Sequence, residues 1–262
     1  MRNARVILAC RDMNKCNEAV KEIVESTKNT NVEGMQLDLN DLESVKAFAQ
    51  TFLQKDLPLH ALINNAGIMA CPKGTTKQGY ETQFGTNHMA HFLLTHLLMD
   101  KIKASAPSRV VFLSSEAHRG GKKTIDFSDI NWEKSYSAFG AYSQSKLANL
   151  LTARYWAQKL KQEGIANVTV NAVHPGVIHT DLGRHFNWFV AGLFYTLGKL
   201  FLKNIPQGAA TSCYVAVHPD AAGISGEYWA DCNVCRSIPQ GADMDLAKKL
   251  WDWTTEKLGL PK

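Results

Sequence analysis

The chain has 262 residues, 45% of them hydrophobic and 20% charged, and a formal net charge of +5. That length and composition suffice for a globular domain with a sizeable core and exclude a disordered or fibrous chain. Lys and Arg are scattered rather than clustered, as a solvated surface requires, so a nucleic-acid partner is not expected.

In chain order, short apolar runs alternate with longer helical patterns. Strands are predicted at 5–9, 32–37 and 61–64, followed by helices at 14–26, 42–54 and 80–103. Further strands are predicted at 109–113 and 168–173, a long helix ends near residue 162, and 226–229 reads as a last strand. Continuous apolar runs fit parallel strands buried on both faces, and the βαβα rhythm predicts an α/β fold with a Rossmann-like, doubly wound parallel sheet. No repeat, low-complexity tract or linker divides the sequence, so residues 1–262 are expected to form one domain. Residues 186–202 (FNWFVAGLFYTLGKLFL) are the most hydrophobic stretch. They are too short and too interrupted to predict a membrane span, and read as a helical lid over an apolar pocket or an element dipping into the membrane interface.

Six cysteines, Cys10, Cys16, Cys71, Cys213, Cys232 and Cys235, have no disulfide-framework spacing, and no secretory signal peptide is apparent. Reduced thiols in an intracellular or membrane-associated setting are expected. Cys232-Asn-Val-Cys235 has half of a zinc-site spacing, but no second CxxC or HxxxH completes it, so an ordinary turn is expected. His88, His91 and His96 fall on a predicted helix with no carboxylate at ligand spacing. No metal is expected.

The sharpest chemical signal is Tyr142-Ser-Gln-Ser-Lys146. Residues four apart on a helix project from one face, so a phenol and an ammonium lie together. A phenol with a pKa of about 10 is poorly matched to proton transfer near neutrality, and a nearby cation favours the phenolate. Bringing the phenol down to about 7 needs roughly 4 kcal/mol, so Lys146 is expected to share that task with a cofactor's positive charge. Alone, the pair also fits a solvated Tyr and Lys on a helix surface.

Other motifs stand around it in order. Asn64-Asn65-Ala66-Gly67 follows an apolar run, Asn87 lies within Phe84-Gly-Thr-Asn-His-Met-Ala-His-Phe, and Ser114-Ser115 follows Arg109-Val-Val-Phe-Leu. Downstream come His174-Pro175-Gly176-Val177 and Thr180. In this order the chain resembles the short-chain dehydrogenase/reductase family over nearly its whole length. Val6-Ile-Leu-Ala-Cys-Arg-Asp12, Ser114-Ser-Glu-Ala-His118, Gln207-Gly-Ala-Ala-Thr211 and Leu250-Trp-Asp252 are similar to its retinol dehydrogenase branch, which includes WW-domain oxidoreductase and chloroplast-envelope relatives.

The resemblance implies an oxidoreductase moving hydride between a nicotinamide cofactor and an apolar alcohol, aldehyde or ketone, with a retinoid-like or lipid carbonyl as the expected substrate. It implies Tyr142 as proton donor in reduction, Lys146 as the group that lowers its pKa and holds the ribose, Ser115 as the carbonyl-polarising hydroxyl, and Asn87 as support for a proton relay. Asp38 matches the adenine contact, Asn64 and Gly67 the turn beside the adenosine ribose, and Pro175, Val177 and Thr180 the positions near the carboxamide. Arg11 follows the strand where an acidic residue grips a ribose 2′-hydroxyl and Arg accepts a 2′-phosphate, so NADP is expected over NAD. The stretch 186–202 falls at the family's substrate lid, and the insertion at 120–131 borders the substrate mouth or is plain surface. Family members commonly pair through the YxxxK helix and its predecessor, which makes a homodimer one expectation.

One part that the resemblance implies is absent from the sequence: an opening strand, a Gly-rich TGxxxGxG turn and the helix after it. Gly74-Thr-Thr-Lys-Gln-Gly79 has neither the spacing nor the setting. A bound pyrophosphate would lack its expected helix N-terminus. Because that strand is central in the family's order, its neighbours are expected to leave two open edges or to pair across the gap. The rival to an active enzyme is therefore a catalytically incompetent truncated remnant, or a partner-binding scaffold of the same fold.

Overall fold

The computed structural model describes residues 4–178 and 202–261. Its strands form two sheets. β1 (Val6–Cys10) and β2 (Val32–Gln36) pair in parallel, Val6 opposite Val32. The second sheet runs in the order β3 (Ala61–Asn64), β4 (Ser108–Leu113), β5 (Val168–His174), β6 (Tyr228–Ala230) and β7 (Asn233–Cys235). It is parallel from β3 to β6 and antiparallel at β7. Among the described residues no ladder joins β1 to β3. Of the two arrangements expected at that place, the structure has the open one.

Among the described residues, every α-helix that does not continue directly from a preceding turn starts where a side chain can satisfy its first N–H groups. Asp12 caps α1 (Met13–Thr27) by accepting from Asn14 and Lys15, and Asp41 caps α2 (Leu42–Gln54). The helix predicted at 80–103 is observed as three joined pieces: α3 (Thr82–Phe84), a π-helical turn (Gly85–Met89) and α4 (Ala90–Ala104). Such π-turns often mark functional positions because they shift the register of carbonyl groups along a helix. Ser137 caps α5 (Ala138–Gln162), and an Asn204/Gln207 capping box opens α6 (Ile205–Val217). α7 (Met244–Leu258) follows Asp243.

The predicted last strand is displaced slightly and is not the last. β6 turns through Asp231 and Cys232, both at positive φ, into β7. Ala230 pairs with Asn233 around this two-residue loop, so Cys232-Asn-Val-Cys235 belongs to a hairpin. Among the described residues no group of three candidate ligands could hold a metal.

The core lies where α2, α4, α5 and α7 cover the sheet. Val110 and Phe112 of β4 and Val170 and Ala172 of β5 are fully buried in it. Trp251 of α7 meets Phe92 of α4 at 4.8 Å and Trp156 of α5 at 4.7 Å between ring centroids. The C-terminal helix therefore packs across the two helices through which a homodimer was expected.

Candidate active site

The site is built at the carboxyl ends of parallel strands, where open α/β sheets bind ligands. β3 ends at Asn64 and leads into the turn through Gly67, β4 leads into Ser114 and Ser115, and β5 ends at His174 and leads into Pro175. β1 and β2 likewise run into Arg11 and Asp38. Gly176 takes φ +89°, and a Cβ there would stand 2.5 Å from Cδ of Lys203, so the turn after β5 requires glycine.

α5 is fastened to the end of β4 at one turn. The Ser114 hydroxyl donates to the Lys146 carbonyl at 2.8 Å. The Lys146 Nζ and Asn149 Nδ2 both donate to the Leu113 carbonyl, at 2.9 and 3.0 Å. Lys146 Nζ lies 5.6 Å from the centroid of the Tyr142 ring. The next serine plays a different part: the Ser115 hydroxyl lies near enough to the Tyr142 phenol to favour its phenolate, and its oxygen accepts from the Ala117 N–H at 3.1 Å. One serine thus locks the helix to the strand while its neighbour stands near the phenol.

Burial dominates the electrostatics. It brings the Lys146 ammonium down to about 8, because the charged form loses its hydration. It also raises the Tyr142 phenol, with Ser115 pulling the other way. The expected lowering of the phenol by Lys146 is not seen. The same desolvation that raises the phenol weakens the ammonium meant to lower it.

Asn87 sits in the π-turn, fully buried. Its Oδ1 accepts from the Ile68 N–H at 2.9 Å, and its Nδ2 donates to the Ile68 carbonyl and to Ser145 Oγ, both at 3.0 Å. The amide therefore holds the turn after β3 against α5. The Asn87 carbonyl accepts from His91 Nδ1 at 2.9 Å. A Cβ on Gly67 would lie 3.3 Å from Asn87 Oδ1 and 3.4 Å from Lys146 Nζ, so this turn's backbone passes close over both. Burial pushes His88 to about 3 and His91 to about 4, which makes them neutral core histidines at ordinary pH.

Asn64 is buried and donates to Thr95 at 2.9 Å. Arg11 is exposed, and Asp38 is half-buried and accepts from the Asn40 N–H at 2.9 Å. Both follow strands of the two-stranded sheet, whereas Ser115 follows β4 of the five-stranded one. The Pro175 carbonyl accepts from Lys203 Nζ at 3.4 Å, and Val177 is 47% exposed. Thr180, and all of 186–202 except Leu202, lie outside the described residues. No helix among the described residues is long and apolar enough to cross a membrane.

Sequence reasoning missed Asn149, which shares the Leu113 carbonyl with Lys146, and the polar turn after Ser115. It also undervalued the insertion. Ile125, Ile130 and Trp132 are buried, and the Tyr136 hydroxyl donates to the Cys71 carbonyl at 2.8 Å while accepting from Gln83 at 3.0 Å. The insertion is anchored by apolar residues rather than laid over the surface.

A family model described as short chain dehydrogenase matches residues 1–188. Over 260 residues the chain is 46% identical to the chloroplastic short-chain dehydrogenase TIC 32 B of Brassica napus, spanning 97% of this chain and 81% of that protein. It is 44% identical over 260 residues to retinol dehydrogenase 11 of Mus musculus, spanning 99% and 80%. Among solved structures, an uncharacterised protein from Mycobacterium paratuberculosis superposes with a TM-score of 0.75 at 32% identity, spanning 98% of this chain and 85% of that one.

Proposed function

The chain belongs to the short-chain dehydrogenase family, an oxidoreductase acting on CH–OH and carbonyl groups, and we propose that it uses NADP(H) to interconvert an apolar alcohol with its aldehyde or ketone. A retinoid-like or lipid carbonyl is the proposed substrate class. The observation that carries this reading is the buried Lys146, tied to the Leu113 carbonyl at the end of β4 and lying near the Tyr142 ring, with Ser115 close enough to favour the phenolate.

In reduction, Ser115 and Tyr142 both address the substrate oxygen, and Tyr142 gives it the phenolic proton. In oxidation the same phenol takes the proton back. With a pKa of about 8, Lys146 carries its proton at neutral pH and favours the phenolate as it forms. NADPH, when bound, would supply the hydride and, once oxidised, a positive charge that favours the phenolate. Lys146 would hold the nicotinamide ribose, Pro175, Val177 and Thr180 the carboxamide, Asn64 and Gly67 the adenosine ribose, and Asp38 the adenine. Asn87 acts by fixing the turn that carries Gly67.

The strand ends fit the two ends of such a cofactor better than its middle. Arg11 makes no ion pair among the described residues, which leaves its guanidinium available to a 2′-phosphate. The N-terminus of α1, by contrast, already carries the Asp12 carboxylate and offers nothing to a pyrophosphate. We assign all these roles to one domain spanning 1–262.

Mixing the chain with NADPH and a long-chain or retinoid aldehyde tests the proposal: nicotinamide absorbance should fall, faster than with NADH, and Tyr142→Phe should stop it. A second reading, an inactive remnant or scaffold, is favoured by the divided sheet, along which Val6 and Ile63 are 36% and 40% exposed. NADPH binding without turnover of any aldehyde or ketone would support that second reading.

A further inference from the structure

We propose that His118 is a positioning residue that holds the turn bearing Ser115 in place against the Tyr142 phenol. Ser115 opens a short 3-10 turn, Glu116–Arg119. Its carbonyl accepts twice from His118, from the backbone N–H at 3.0 Å and from ring Nδ1 at 2.5 Å. A carbonyl can only accept, so Nδ1 carries the proton. The other ring nitrogen, Nε2, faces the Ile238 N–H at 3.4 Å, a group that can only donate. Two partners of fixed polarity therefore select one neutral tautomer, and burial, which disfavours the imidazolium, acts in the same sense.

The ring is fully buried and meets Tyr228 edge to face, with centroids 4.9 Å apart. The Tyr228 hydroxyl donates to Glu116 at 2.8 Å. The turn is thus tied to β6 through Glu116 and to the segment before α7 through His118. Removing the ring leaves the Ser115 carbonyl with one backbone donor, and rotation of so short a turn displaces the adjacent hydroxyl. This inference rests on the reading of Ser115 as the group that polarises the substrate carbonyl.

Steady-state kinetics of Ser115→Ala, His118→Leu, His118→Asn and the Ser115→Ala/His118→Leu double variant test it, with NADPH and an aldehyde. Asn places an amide N–H near the position of Nδ1. His118→Leu should lower kcat about tenfold with the KM for NADPH nearly unchanged, His118→Asn should recover most of that loss, and the double variant should be no slower than Ser115→Ala alone. Wild-type kcat in His118→Leu, equal losses in the two His118 variants, or additive losses in the double variant overturn the proposal. A silent Ser115→Ala would instead remove the reading of Ser115. The clamp has its own readout that needs no turnover: proton–nitrogen correlation spectra of the imidazoles in the 262-residue chain at neutral pH. His118 should appear as the pure Nδ1–H tautomer, and an Nε2–H or rapidly averaging ring overturns the clamp even if every variant folds poorly.

Discussion

Helix α5 buries 16 of its 25 residues, Tyr142 and Lys146 among them, whereas α1 buries only Cys16 of its 15. The strands follow suit: β5 is buried along six of its seven positions, and β1 along none of its five. The proposed proton donor and the ammonium beside it therefore sit on a helix that the core fixes along most of its length. The groups proposed for the far end of the cofactor, Arg11 for the 2′-phosphate and Asp38 for the adenine, follow the strands of a two-stranded unit held mainly through β2 and α2. A reacting group must be placed to fractions of an ångström before the reaction starts, and dense packing supplies that. A charged contact to a phosphate tolerates movement, because a long guanidinium side chain can follow its partner.

The sharpest way to break this contrast is Tyr142→Phe. It removes one oxygen from a well-packed ring, so kcat should fall by roughly 10²- to 10⁴-fold while melting temperature and NADPH affinity stay close to wild type. An equal loss of affinity would mean that the phenol binds rather than reacts.

Lys146→Met separates function from stability on the same helix. The folded-state pKa of about 8 lies below the ordinary 10.5, so the unfolded chain binds the extra proton between those values. Stability should therefore be lowest below about pH 8 and rise as pH climbs from about 8 toward 10.5. The full shift corresponds to about 3 kcal/mol at neutral pH. Lys146→Met should remove this pH dependence and raise the denaturation midpoint at neutral pH while abolishing turnover. A lower midpoint would show that the bond to the Leu113 carbonyl outweighs the burial of the charge.

On the other side of the contrast, Arg11→Asp should weaken NADPH roughly tenfold or more and NADH little, with stability unchanged because the side chain is exposed. Equal weakening of both cofactors would make Arg11 a bystander. The smallest effect is dynamic: amide hydrogens of β1 and β2 should exchange at least about tenfold faster than those of β4 and β5, through a local opening of the smaller unit. Uniform protection would erase the distinction between the two sheets.

The fold was legible wherever pattern and burial agree. The strand at 61–64 and the helix at 42–54 fall where the sequence places them, because an uninterrupted apolar run and the Asp41 cap define their limits. The π-turn was not legible, since one extra residue in a helical turn leaves the hydrophobic period of the surrounding run intact. α6 escaped notice because its buried positions include Gly208, Thr211 and Ser212, which make no apolar stripe. α7 does carry a stripe, through Ala247, Leu250, Trp251 and Thr254, interrupted by the charged Lys248, Lys249 and Asp252 on its outer face.

Within the site, the spacing of Tyr142 and Lys146 was readable, and the choice between Ser114 and Ser115 came from resemblance. The raised phenol was not readable, because desolvation depends on residues distant in the chain. The partners of His118 and Glu116, at Ile238 and Tyr228, lie more than a hundred residues downstream, and no local pattern announces them.

The most direct test of the account is hydrogen exchange of the chain across an NADPH titration. If one cofactor spans both sheets, amides following β1 and β2, near Arg11 and Asp38, should gain protection together with those of the turn at 64–67, at one half-saturating concentration. Protection confined to one sheet, or absent from both at saturating NADPH, would contradict the claim that the lightly held unit and the packed one serve a single site.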